Sequence, residues 1–67
     1  MTLSLEEQKI EMNEFLLQEE IGIFRDYPNR ITEIDYQNVR ECLNALREGK
    51  KDVTNYQRQL KELGVNL

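Results

Sequence analysis

The chain has 67 residues, of which 39% are hydrophobic and 33% charged, with 13 acids, 9 bases and a net charge of −4. This length supports one domain at most, near the size at which a single hydrophobic core is only marginally stable. The composition is more polar than that of an average globular domain, but it is not that of a disordered chain. A single cysteine excludes an internal disulfide framework.

The charge is divided unevenly along the chain. Residues 1–35 carry nine acids and three bases (net −6), whereas residues 36–67 carry four acids and six bases (net +2). Such a division favours complementarity within a helical bundle, and it also offers an acidic surface to a basic partner. Residues 1–7 lack the basic and apolar segments of a secretory signal, and no apolar run is long enough to cross a bilayer. We therefore expect a cytoplasmic protein that does not enter a membrane.

The first predicted helix, at about residues 5–24, carries two apolar stripes. At about 100° per residue the two stripes lie roughly 130° apart around the helix. The first stripe consists of Leu5, Met12, Leu16 and Ile23. The second consists of Ile10, Leu17, Ile21 and Phe24. We expect the second stripe to pack inside because it lies nearer the following turn, which leaves the first stripe for a partner.

The ends of this first helix are marked by local signals. Ser4 followed by Glu7 matches a capping box. Gly22 weakens the helix, and Pro28 disfavours helical geometry at Tyr27, so the end is predicted between residues 22 and 26. A short extended segment over residues 21–24 is the alternative. A turn is predicted over residues 25–31.

The second predicted helix covers about residues 33–48. Thr32 and Asp35 form another capping-box pattern at its start, and Gly49 is placed to stop it. One apolar face is predicted from the spacing of Tyr36, Val39, Cys42, Leu43 and Leu46.

The third predicted helix covers about residues 53–63, with Asp52 as its N-cap. Gly64 fits the residue after its end, and Val65 is expected to fold back onto Leu60 as in a Schellman ending. Its apolar face consists of Val53, Tyr56, Leu60 and Leu63.

These elements predict an all-α fold, in which a long helix 1 packs on an antiparallel hairpin of helices 2 and 3 in one small three-helix bundle over residues 1–67. The predicted core consists of Leu16, Leu17, Ile21, Val39, Leu43, Leu46, Tyr56, Leu60 and Leu63.

No pattern in the sequence supports an enzyme or a cofactor site. The chain has no histidine, which is the commonest general base and a usual zinc ligand. The acidic strip of helix 1 is expected to be solvated rather than to bind metal, because carboxylate metal sites normally draw acids from several helices. Cys42 is expected to be a small buried hydrophobe rather than a reactive thiol.

We therefore expect a non-enzymatic protein–protein interaction module, a small acidic regulator or inhibitor that binds a larger protein through the exposed side of helix 1. Size, acidity and helicity are shared with small phage and bacterial regulators, but no motif selects one family. The predicted partner-binding residues are Leu5, Glu7, Glu11, Met12, Glu14, Phe15 and Ile23. The alternatives are a self-associating structural subunit and a small DNA-binding regulator that uses the basic half, although the net acidity argues against nucleic acid.

Overall fold

A computed structural model of the chain describes residues 3–67 and contains three α-helices and no strand in that range. The helices are α1 (Leu5–Asp26), α2 (Glu33–Glu48) and α3 (Thr54–Glu62), and a short 3₁₀ turn, Pro28–Arg30, joins the first two. This arrangement confirms the predicted all-α class and the small three-helix bundle. The extended alternative for residues 21–24 is wrong, because α1 continues through Gly22 to Asp26.

The helix starts follow the predicted capping signals. The Ser4 hydroxyl oxygen accepts a hydrogen bond from the backbone N–H of Glu7 at 3.2 Å. At α2 the Asp35 carboxylate accepts from the backbone N–H of Thr32 at 2.8 Å and from its hydroxyl at 3.0 Å. Each bond satisfies a polar group near a helix start, where the helix itself offers no partner.

The core lies mainly between α1 and α2, which run antiparallel to each other. At one end the rings of Phe24 and Tyr36 meet edge to face, with centroids 5.3 Å apart. At the other end Ile10 of α1 lies against Gly49, just after α2. The buried side chains are Leu17, Ile21, Phe24, Val39, Cys42, Leu43, Leu46, Val53, Leu60 and Val65.

Two members of the predicted core are wrong. Leu16 is 44% exposed and Leu63 is 38% exposed. Leu16 belongs to the stripe of α1 that faces away from α2. Leu63 comes after the last helical residue of α3, and Val65 takes the buried position in its place. Tyr56 is half-buried at the margin of the core.

The link from α2 to α3 is a Schellman turn with Lys50 in the left-handed conformation, at φ 61°. The backbone N–H of Lys51 donates to the carbonyl of Leu46 at 2.9 Å, and that of Lys50 donates to Arg47 at 2.9 Å. The left-handed residue of this turn is Lys50, so the turn does not explain why position 49 is a glycine. A Cβ added there would lie 2.7 Å from Ile10 Cδ1, so any larger residue would force the Ile10 side chain of α1 to move.

At the start of α3 the predicted N-cap is wrong, because the helix begins one residue later and Val53 is its N-cap, without a side-chain capping bond. The Asp52 carboxylate still accepts from the backbone N–H of Thr54, the first helical residue, at 2.9 Å. At its end Gly64 has φ 81°, and the Val65 N–H donates to the carbonyl of Leu60 at 2.9 Å. The predicted Schellman ending is therefore confirmed, and it buries Val65 in the core.

Candidate protein-binding surface

The side of α1 that faces away from α2 carries several exposed apolar side chains. Leu5 is 69% exposed, Met12 59% and Phe15 58%, while Ile23 is half-buried. Leu16 joins them because it lies one helical turn from Met12 on the same stripe. We call this surface the outer face of α1, and its apolar members are Leu5, Met12, Phe15, Leu16 and Ile23.

Leu16 is the residue of this surface that the core prediction misplaced. The signal that could have found it was present in the sequence, because Leu16 falls on the same stripe as Leu5, Met12 and Ile23. The stripe that packs inside is the one predicted, since Leu17, Ile21 and Phe24 are buried and Ile10 packs against them.

The outer face exists because α1 is longer than the helix that covers its other side. With about 1.5 Å of rise per residue, α1 spans about 33 Å and α2 about 24 Å. Residues 3–9 are all exposed, and Ile10 is the first side chain of α1 that packs on the core. The first turn of α1, with Leu5, therefore extends past the end of α2.

The predicted acids do not form one uniform strip. Glu7 and Glu11 are exposed. Glu14 is half-buried and is held by α3 and the preceding link, because its carboxylate accepts from the Tyr56 hydroxyl at 2.7 Å and lies 3.6 Å from Lys51 Nζ. The hydrogen bond to Glu14 is the main cause of the raised pKa of Tyr56. The carboxylate of Glu14 thus stabilises the chain's own fold.

Glu19, rather than the predicted Glu14, is an exposed acid of the outer face. It is exposed and lies one turn of α1 from Phe15, beside the line of Met12 and Leu16. The nearby Asp26 is paired with Arg25 at 3.0 Å, and the hydrogen bond from Arg25 lowers the pKa of Asp26. The exposed acids one turn from Phe15 are therefore Glu11 and Glu19, whereas Glu7 lies on the opposite side of the helix from Leu5 and Met12.

A shallow depression of about 360 Å³ lies at the C-terminal half of the outer face. Phe15, Ile23, Tyr27 and Gly22 line one part of it, and the polar side chains Gln18, Glu19, Arg25 and Asp26 line the rest. A Cβ added at Gly22 would meet no atom closer than 3.9 Å, so the missing side chain leaves this space open. A depression lined by exposed aromatic rings is suited to receive an apolar side chain of another protein.

One acid of α1 lies between the outer face and the core. The Glu20 carboxylate accepts from the Asn38 side-chain amide at 3.3 Å through Oε1, while Oε2 is buried and has no hydrogen-bond partner within residues 3–67. Burial, and to a lesser extent the nearby Asp35, raises the pKa of Glu20. This group marks the edge at which the covered side of α1 begins.

Cys42 is buried in the core, as predicted. Burial, followed by the negative charges of Glu20 and Glu41, raises the pKa of its thiol. A buried thiol with a raised pKa is a poor nucleophile, because the thiolate is the reactive form. Residues 3–67 also contain no group of three His, Cys, Asp or Glu side chains placed to hold a metal ion.

A second surface feature, which the sequence did not reveal, is a groove of about 430 Å³ between α2 and α3. We call it the α2–α3 groove. Its cationic side chains are Arg40, Arg47 and Lys61, and its apolar floor includes Leu43, Leu60 and Val65. The sequence predicted a basic second half but gave no sign that three cations would surround an apolar floor.

Comparisons of the chain with models of protein families, with curated proteins and with solved structures returned no match. In the part of the chain that the structure describes, none of the helices combines the length and apolar character needed to cross a membrane.

Proposed function

We propose that this chain is a non-enzymatic protein–protein interaction module that binds a protein through the outer face of α1, as a small acidic regulator or inhibitor of a larger protein does. The observation that carries the proposal is the exposure of four apolar side chains, Leu5, Met12, Phe15 and Leu16, on one side of α1, with Ile23 half-buried beside them. Contiguous exposed apolar surface on a small protein marks a site of interaction.

The charges next to the apolar residues define the chemistry of the partner. Glu11 and Glu19 are exposed, and each lies one turn of α1 from Phe15. A partner that presents Lys or Arg beside an apolar surface gains complementary charge, which raises the association rate and excludes other acidic proteins. The structure of α1 itself also supports a helix-docking role, because a regular 22-residue helix presents these side chains in a fixed order.

A self-associating subunit is the second candidate function. The α2–α3 groove favours it, because the groove offers the apolar floor and the positive charge that the outer face of α1 lacks. A chain of this length without a disulfide also gains stability from association.

The proposal can be tested with a defined probe, a synthetic amphipathic helix made of Leu and Lys. We expect NMR titration to perturb the amides of the outer face of α1. The double variant Met12→Gln/Leu16→Gln should weaken binding about tenfold, because it removes apolar contacts worth more than 1 kcal/mol. Both side chains are exposed, so helicity should be unchanged.

Two controls separate this surface from general acidity. Ile34 is 68% exposed on α2, so Ile34→Gln removes exposed apolar surface elsewhere and should leave peptide binding unchanged. Glu11→Gln/Glu19→Gln should weaken binding more than Glu41→Gln/Glu62→Gln, although both pairs remove the same charge. Perturbations centred away from α1, or equal losses for the two pairs, would contradict the proposal.

A further inference from the structure

The α2–α3 groove has the properties of a binding site for an apolar segment. Leu43 and Leu60 form a buried floor, and Val65 is held at its edge by the Schellman turn that ends α3. The groove has a volume of about 430 Å³ and is open to solvent along the surface between the two helices. Because two helices and a hydrogen-bonded turn frame it, its shape is largely preformed.

The charged side chains around this floor are all cationic, and Asn66 and Leu67 also line it. Arg40, Arg47 and Lys61 line the groove, and its lining contains no Asp or Glu from residues 3–67. Arg40 forms an exposed ion pair with Glu33 at 3.4 Å, and Arg47 donates to the side-chain oxygen of Asn44 in its own helix. Neither Arg47 nor Lys61 belongs to an ion pair within the described chain. The groove therefore selects for a negatively charged apolar occupant.

The outer face of α1 has the matching chemistry. Met12 and Leu16 project from it, with Glu11 and Glu19 on one side. These two acids are separated by about 12 Å along the helix axis, and Arg40 and Arg47 are separated by about 10 Å along α2. The two pairs have similar axial spacing, but around their helices the acids are about 80° apart and the arginines about 20° apart, so the match is one of charge sign rather than of position.

We infer that the α2–α3 groove of one copy of the chain receives the outer face of α1 of a second copy. The inference rests on the proposed function, and it names a second copy as the protein that α1 binds. A contact of the outer face with itself would place Glu11 and Glu19 against like charges, whereas the groove places them against Arg and Lys. The net charges of the two halves of the chain agree with this pairing, since residues 1–35, which include α1, carry −6 and residues 36–67, which include the groove, carry +2.

This contact is heterologous, because the two surfaces lie on different elements of the fold. Each copy then has one free outer face and one free groove, so further copies can add until a ring closes or a filament grows. Each copy has a net charge of −4, so added salt weakens both the overall repulsion between copies and the attraction between acids and cations at the contact. Variants therefore test the contact better than a change of ionic strength does.

The test uses two assembly-blocked variants and their mixture. Met12→Gln/Leu16→Gln removes the apolar residues of the outer face, and Arg47→Glu/Lys61→Glu reverses the charge of the groove. We expect the wild-type mass in analytical ultracentrifugation to rise with concentration, from about 10 μM to about 1 mM, and each variant to self-associate at least about tenfold more weakly. The mixture should form a 1:1 complex and nothing larger, because one intact groove and one intact outer face remain.

Matched controls are Ile34→Gln and Arg30→Glu/Arg58→Glu, which alter exposed residues outside both surfaces and should assemble as the wild type does. Circular dichroism of every variant checks that the helices persist. A wild type that stays monomeric at about 1 mM overturns the inference, as does failure of the two blocked variants to combine. Binding of a short DNA duplex through Arg47 and Lys61 without self-association overturns it as well. None of these results contradicts the proposed function if the Leu–Lys helix still binds α1.

Discussion

The two faces of α1 have similar apolar content but different surroundings. Leu17, Ile21 and Phe24 are buried against α2 and the rest of the core, whereas Met12, Phe15 and Leu16 are exposed. The difference comes from what lies opposite each face, because α2 and α3 together cover only one face of α1. Apolar periodicity therefore shows that a helix has surface to bury, and the remaining elements decide which part is buried within the chain.

The neighbouring residues Leu16 and Leu17 give the sharpest test of this difference. Leu17 is completely buried, so Leu17→Ala should lower the free energy of unfolding by about 2–5 kcal/mol through lost burial and a residual cavity. Leu16→Ala should lower it by less than about 1 kcal/mol, because the side chain is already partly solvated. Urea denaturation followed by circular dichroism measures both values. Similar losses at the two positions would mean that the outer face is covered in the monomer.

The same pair shows what the sequence could and could not predict. The spacing of the stripes predicted the helices, their caps and the stripe that packs inside. The predicted core nevertheless included Leu16 with Leu17, although the same spacing places Leu16 on the stripe left outside. Leu63 and Val65 differ for a local reason, because the Schellman turn moves the chain so that Val65 reaches the core. The α2–α3 groove could not be predicted, since it depends on how two helices meet.

Gly49 tests how closely the inner side of α1 is held to the end of α2. An alanine Cβ at this position would lie 2.8 Å from Ile10 Cγ1, which is closer than van der Waals contact allows. We expect Gly49→Ala to destabilise the chain by about 1–3 kcal/mol, the usual range for overpacking. The matched variant Gly22→Ala, on the open side of α1, should stabilise it by about 0.5–1 kcal/mol through helix propensity. Thermal unfolding distinguishes the two, and equal signs would contradict the assigned close approach.

Substitution of Lys50, at the same end of the core, should change stability less than Gly49→Ala does and in the opposite direction. Lys50 is in the left-handed conformation, at a position of the Schellman turn that glycine usually occupies. This conformation costs an L-residue with a side chain about 1–2 kcal/mol. Lys50→Gly should therefore stabilise the chain by about 0.5–1 kcal/mol after the added entropy of the unfolded glycine is subtracted. Measuring the free energy of unfolding of Lys50→Gly and of Lys50→Ala separates backbone strain from loss of charge, because both remove the charge and only glycine relieves the strain. If Lys50→Ala stabilises as much as Lys50→Gly, the conformation is not the cause.

Glu20 offers the finest test, because it lies at the edge between the two faces of α1. One of its carboxylate oxygens is buried without a partner, and burial raises its pKa. A group whose pKa is raised by folding stabilises the fold fully below its unfolded pKa, and this contribution is lost as the pH rises through the folded pKa. At neutral pH the ionised Glu20 thus weakens the packing of α1 on α2.

Glu20→Gln should accordingly raise the free energy of unfolding more at about pH 7 than at about pH 4, by an amount that solvent screening keeps small because the side chain is only half-buried. Asp35 has the opposite dependence, because the Thr32 N–H lowers its pKa and its contribution is lost as the pH falls. Because Asp35 and Glu20 influence each other's pKa, the difference between wild type and variant at each pH reports on Glu20 together with its effect on Asp35. Glu19→Gln, one residue away on the exposed side, should show no such pH-dependent difference. A gain for Glu20→Gln that does not grow between about pH 4 and about pH 7 would mean that Glu20 is solvated, and that the covered side of α1 ends before it.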